Sequence, residues 1–183
     1  MTTRALAFAL LITVPSAVAA ADDTRSATSL PAIPSIVRFS QVDDRLYRGG
    51  QPALDDYAKL RDMGITTVVS LREEDDERAA VEALGMKWVH LPMTMAPFGM
   101  SGEVSKANVE AFFNLVDDPA NGKVFIHCRH GKDRTGLFVS LYRITRQGWD
   151  VDEAYREARS IGMSWWHRSN KDTMERFALD DNN

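Results

Sequence analysis

Lys123 to Gly136 reads KVFIHCRHGKDRTG. Its first five residues, KVFIH, are apolar and β-branched behind the turn-forming pair Asn121-Gly122, which marks a strand buried on both faces. From Gly136 to Gln147 the apolar residues Leu137, Phe138, Leu141, Tyr142 and Ile144 recur at helical spacing, and Gly148 stops the helix. Between strand and helix stand Cys128, five residues, Arg134 and Thr135. That interval has the right size to curl around one tetrahedral oxyanion, with backbone N–H groups turned inward and the N-terminus of the new helix pointing at the same spot. Gly131 permits backbone conformations that a side chain blocks. The planar fork of Arg134 suits two oxygens of the anion. Nearby cations and a helix N-terminus also favour thiolate over thiol at Cys128. A thiolate held against a bound phosphate is placed for in-line attack.

The flanking sequence supplies a sheet for this loop to sit on. Thr66 to Leu71 (TTVVSL) and Trp88 to Leu91 are further strand-like runs. Helical patterns lie between the strands, at Ala53 to Met63, Glu74 to Leu84 and Ser105 to Val116, where Ser105 is placed to cap. After His127 the pattern is helical to the end, with Val151 to Ile161 and Asn170 to Leu179 following. Alternating strands and helices predict an α/β domain with a mainly parallel sheet flanked by helices. Ligands of such sheets sit beyond the carboxyl ends of the strands, which here are Ser70 to Arg72, Leu91 onward and Cys128.

The chain of 183 residues is long enough for one domain of average size. Its 22 basic and 26 acidic residues give a formal charge of -4, which argues against non-specific nucleic-acid binding. A single cysteine excludes an internal disulfide and any multi-thiolate metal site. Residues 1–21 have the three-part layout of a secretory signal: Arg4, an apolar run from Ala5 to Val14, then the small residues Ala17 to Ala21. The run is too short to span a bilayer. The mature protein is therefore expected in the periplasm or outside the cell, without stable membrane insertion. Asp22 to Ser35, interrupted by Pro31 and Pro34, reads as a flexible leader to a domain spanning 36–183.

The motif H-C-x5-R-[ST], carried by His127 to Thr135, resembles the signature of the cysteine-dependent phosphatases. Leu46 to Pro52 (LYRGGQP), His127 to Phe138, Tyr142 to Ile144 and Gln147 to Asp150 are similar to exported bacterial members of the dual-specificity group. The resemblance covers about Phe39 to Ile161. It implies the cysteine-phosphatase fold with four to five strands in one domain, and a phosphocysteine intermediate on Cys128. Phosphate would be bound by Arg129, His130, Gly131, Lys132, Asp133 and Arg134, and the Thr135 hydroxyl would assist Cys128 as leaving group. No metal or cofactor is implied, and a monomer is expected.

The general acid of this family is usually an Asp some thirty residues before the Cys, yet Pro92 to Val104 holds no Asp and only Glu103. Asp133 is the other candidate, since myotubularin-type lipid phosphatases carry an acid-assigned Asp at that place. We rank Asp133 first; the plainer readings are that Asp133 pairs with a loop cation and that Glu103 caps a helix. The cations Arg129, His130 and Lys132 suit substrates with several phosphates, so both phosphoproteins and phosphoinositides or inositol phosphates are expected substrates. A rhodanese-type sulfurtransferase, whose loop also begins Cys-Arg-x-Gly but is commonly one residue shorter, is the rival chemistry. A catalytically silent phospho-ligand binder is the third reading. His127 reads as a structural neighbour hydrogen-bonding the loop, and Arg48 and Arg72 as exposed salt-bridging residues or site-facing cations. Trp165, Trp166 and His167 read as core at a helix junction, the alternative being an aromatic wall over the cleft. Glu73 to Glu77 reads as the solvated start of a helix.

Overall fold

Five short strands and six helices alternate along the chain in the computed structural model, which describes residues 33–94, 104–165 and 168–180. They are β1 (Ser40–Gln41), β2 (Leu46–Gly49), α1 (Asp56–Asp62), β3 (Ile65–Ser70), α2 (Arg78–Ala83), β4 (Lys87–His90), α3 (Lys106–Asp117), β5 (Lys123–His127), α4 (Asp133–Gln147), α5 (Val151–Ser160) and α6 (Arg168–Asp180). The sheet order is β1-β2-β5-β3-β4. Only β1 runs antiparallel, so the mainly parallel sheet expected from the sequence is what forms. The strand carrying the loop is central, paired with β2 on one side and β3 on the other.

Alternation along β5 sorts the core into two layers. Val124 and Ile126 face α3, α4, α5 and α6, among Leu46, Val69, Phe112, Leu137, Phe138, Ala158 and Met174. Phe125 faces the other way, among Tyr47, Tyr57, Leu60, Val68 and Val81 beneath α1 and α2. Each of these side chains is nearly or wholly buried, and each contributes about 1.5 to 3 kcal/mol for the larger apolar residues.

Local chemistry sets the helix ends. The Ser105 hydroxyl accepts from Asn108 N and caps α3, as its position in the sequence suggests. Asp150 does the same for α5 through Glu153 N, and Gly148, left-handed at φ +68°, ends α4.

Two boundaries differ from the sequence reading. The last residues of the supposed leader are docked, with Ile33 buried against the α1–α2 layer and Ser35 Oγ donating to Asp56 Oδ1 at 2.6 Å. Helix α2 begins only at Arg78, because Glu73 to Glu77 is drawn into contacts described below. Residues 1–32, which include the stretch read as a secretory signal, lie outside the described residues. Among the described residues, no helix is long and apolar enough to cross a membrane.

Candidate active site

Cys128 follows the last residue of β5, and α4 starts at Asp133, so the strand and the helix fix both ends of the intervening loop. The loop carbonyls are tied to surrounding structure. His127 O accepts from Leu71 N at 2.9 Å, Arg129 O from Gln51 N at 3.2 Å and Lys132 O from Gly136 N at 2.9 Å. Arg38 Nη1 donates to His130 O at 3.1 Å, and Arg48 Nη2 to Gly131 O at 2.8 Å. Among the described residues, the N–H groups of Arg129, His130, Gly131 and Lys132 donate to no protein acceptor. A loop whose carbonyls at Arg129, His130 and Gly131 are engaged by the surrounding protein while its amides are not can serve as an anion nest. The dipole of α4, a helix of 15 residues, adds positive potential at the same place.

Gly131 is required twice. Its φ of +68° is a left-handed conformation, and a Cβ there would lie 2.4 Å from the carbonyl carbon of Gly49. The loop is thus seated on the end of β2.

Arg134 lies across the carboxyl edge of the sheet, where its Nη1 donates to Leu71 O at 2.9 Å and Met93 O at 3.1 Å. Leu71 N in turn holds His127 O, which places the guanidinium beside the Cys128 end of β5. Among the described residues both bonds use Nη1, so the edge formed by Nε and Nη2 suits two oxygens of an anion. Cys128 is 3% exposed and packs with Ile126 and Leu137. The Thr135 hydroxyl is fully buried at the start of α4 with no partner among the described residues. A buried orphan hydroxyl is costly unless a ligand or reacting atom uses it.

Asp133 Oδ1 accepts from Ser164 N at 2.7 Å, while Oδ2 stands 3.7 Å from Lys132 Nζ. Lys132 Nζ also donates to Ser164 Oγ at 3.1 Å, so this pair clasps the α5–α6 connection to the loop. Arg129 and His130 remain exposed on the rim. Glu103, Trp166 and His167 lie outside the described residues. Trp165 is 62% exposed, which corrects its reading as core: the clasped connection carries it at the protein surface.

Three further readings are corrected. His127 does not bond the loop through its side chain. Cys128 and His127 are consecutive at a strand end and point to opposite faces, so the His127 ring stacks on Phe125 and sets Nε2 3.1 Å from Glu77 Oε1. Glu77 is 1% exposed, not a solvated helix start. Gln51 Nε2 and Trp88 Nε1 donate to it, and Arg72 Nη1 lies 3.3 Å away. Arg72 is 13% exposed and also pairs with Glu74 and Asp76, forming the partly sheltered rim of this cluster. Arg48 is no exposed ion-pairing residue, being 1% exposed beneath the loop. Sequence reasoning missed the Glu77 cluster altogether; the buried-strand context of His127 was the available signal, since a polar residue there needs a partner.

Residues 35–176 match the family model described as DSP-PTPase phosphatase fused to NAD+ kinase. The dual specificity protein phosphatase TpbA of Pseudomonas aeruginosa is 33% identical over 139 residues, covering 76% of this chain and 61% of that protein. The inositol diphosphatase DSP5 of Arabidopsis thaliana is 27% identical over 137 residues, covering 71% of this chain and 65% of that protein. The chain thus spans somewhat under two thirds of the length of these curated relatives. Among solved structures, the crystal structure of P. aeruginosa TpbA matches with a TM-score of 0.69 and 27% identity, over 88% of this chain and 99% of that one. A Cys-to-Ser variant of TpbA has been solved in complex with phosphotyrosine.

Proposed function

We propose, from the premise that this chain belongs to the DSP-PTPase phosphatase family, that it is a metal-independent phosphoric monoester hydrolase acting through Cys128. The observation that carries this reading is the loop whose carbonyls at Arg129, His130, Gly131 and Lys132 are hydrogen-bonded while its amides at Arg129 to Lys132 donate to no protein acceptor among the described residues. Such a ring complements three equatorial phosphoryl oxygens better as charge develops on them, which is how it lowers the barrier.

In the first step Cys128 Sγ attacks phosphorus in line, forming an S–P bond as the P–O bond to the leaving alcohol breaks. Arg134 holds two of the oxygens through Nε and Nη2. The leaving oxygen takes a proton from a carboxylic acid, a role we assign to Asp133. In the second step water forms a new P–O bond, the S–P bond breaks and sulfur departs as thiolate, with the Thr135 hydroxyl donating to it. The proton of the water returns to the same carboxylate, and inorganic phosphate leaves.

Asp133→Asn tests the assignment, because the amide oxygen still accepts from Ser164 N while no proton is available to give. Turnover of an alkyl phosphate is expected to fall about 100-fold or more, and that of p-nitrophenyl phosphate, whose leaving group needs no proton, far less. Equal losses on both substrates, or none on either, would assign Asp133 to the clasp alone.

The substrates are phosphorylated proteins, on Tyr, Ser or Thr, or phosphoinositides and inositol phosphates. Arg38, Arg129, His130 and Lys132 around the loop favour substrates bearing more than one phosphate. The TpbA complex with phosphotyrosine and the inositol diphosphatase relative support the two classes respectively. The purified protein is therefore expected to release phosphate from members of a panel of phosphopeptides, phosphoinositides and inositol phosphates, with kcat/KM highest for those carrying several phosphates. A preference for singly phosphorylated peptides would reverse the substrate ranking. Thiocyanate formation from thiosulfate and cyanide, without phosphate release, would return the sulfurtransferase reading. The enzyme works as a monomer after removal of residues 1–21, in the periplasm or outside the cell.

A further inference from the structure

We propose that Arg48 is the buried counter-cation of Cys128, a positioning residue that holds the loop and steadies the sulfur anion from beneath. The inference rests on Cys128 being the nucleophile. Arg48 lies on β2 opposite Ile126 of β5, and strand alternation sends its side chain to the face that holds Leu46, Val124, Ile126 and Cys128. It is 1% exposed. Its Nη2 donates to Gly131 O at 2.8 Å, fixing the left-handed glycine at the turn of the loop. A Cβ on Gly136 would lie 3.7 Å from the same nitrogen, so the guanidinium sits against the first turn of α4, the turn that carries Thr135.

The other nitrogens of this head, Nε and Nη1, are buried without a partner among the described residues. Burial lowers the Arg48 pKa to about 10, which still leaves the group cationic at neutral pH. A buried cation with two idle donors is expensive unless an anion faces it. Two negative groups act on it, Glu157 from α5 and Cys128, while Arg143 from α4 and Arg38 from the segment before β1 repel it. Glu157 is already spent, because Arg143 grips it with Nε at 3.2 Å and Nη2 at 2.8 Å. The sulfur of Cys128 is the anion that remains. His127 and Glu77, 3.1 Å apart, lie on the opposite face of the sheet.

The arrangement has a kinetic consequence. Sulfur loses its negative charge when the S–P bond forms and regains it when that bond breaks, so a fixed cation beneath it favours the second step as well as the first.

The test reads Cys128 itself and needs no turnover. Alkylation by iodoacetamide is followed at pH 6 and pH 9 in the wild type and in Arg48→Gln, Arg48→Met and Arg48→Lys, with thermal unfolding confirming a folded protein. Gln retains a donor for Gly131 O without charge, and Met supplies a second neutral replacement where Gln does not fold. Alkylation at pH 6 is expected to slow at least about tenfold in the neutral variants and to stay near the wild-type rate in Arg48→Lys, with the difference closing at pH 9. A folded neutral variant alkylated at the wild-type rate at pH 6, or a lysine variant as slow as the neutral ones, would overturn the proposal. Phosphate release by Cys128→Ser would instead refute the nucleophile reading, so the two failures are distinguishable.

Discussion

Cys128→Ser is expected to leave a folded protein whose phosphate release from p-nitrophenyl phosphate falls by at least about 10⁴-fold. The change exchanges one atom in a site that is 3% exposed and packed by Ile126 and Leu137, so the core keeps its shape and the unfolding midpoint should move little. What is lost is the anion. A serine hydroxyl is a far weaker nucleophile than a thiolate without a base to activate it, and the adjacent His127 cannot serve as that base, because its ring is turned to the opposite face and set 3.1 Å from Glu77. The anion nest survives, so phosphate and phosphorylated substrates should still bind. A variant with substantial turnover would show that the reaction does not pass through this sulfur.

Glu77→Ala is expected to reduce the free energy of unfolding by about 3 to 5 kcal/mol, measured by chemical denaturation at pH 7. The carboxylate is 1% exposed, and its removal leaves His127 Nε2, Trp88 Nε1 and Gln51 Nε2 without the acceptor they share. Gln51 also donates to Tyr57 OH at 3.0 Å, so the loss spreads into the α1 layer. Glu77→Gln keeps the volume and one acceptor and should cost less. Burial pushes the Glu77 pKa up, but the hydrogen bond and charge of His127, with hydrogen bonds from Ser70 and Gln51, outweigh it and hold the carboxyl well below the usual range. A depressed folded-state pKa gives stability that is complete above the unfolded glutamate value of about 4.3 and is lost as pH falls below it. Wild-type stability should therefore fall more steeply in acid than that of Glu77→Gln. Parallel acid profiles for the two proteins would show that Glu77 is not ionised in the native state.

The reach of the sequence into this site follows the locality of each interaction. Cys128, Gly131 and Arg134 are legible because strand, loop and helix follow one another within Lys123 to Gly136, and the backbone chemistry of that stretch is local. The mainly parallel sheet follows from the alternation of apolar runs with amphipathic ones, whereas the central position of β5 is set by strand order. Arg48 was not legible as a buried residue, since only the pairing of β2 with β5 carries it under a loop 83 residues away in sequence. Glu77 misled for the same reason. An acidic run before a helix pattern resembles a solvated N-terminus, and nothing nearby announces that Gln51, Trp88 and His127 converge on its last member. The lack of an Asp from Pro92 to Val104 directed the reading to Asp133, whose carboxylate is shared between Ser164 N and Lys132, contacts that depend on the α5–α6 connection folding back.

The proposed reaction passes through a covalent bond between phosphorus and one sulfur. Mixing the enzyme with p-nitrophenyl phosphate, quenching in acid within a turnover and mapping the digest by mass spectrometry tests it directly. One added phosphoryl group is expected on the peptide containing Cys128, absent from the Cys128→Ser protein. Continued turnover with no phosphoryl adduct, or with the adduct on another residue, would contradict it.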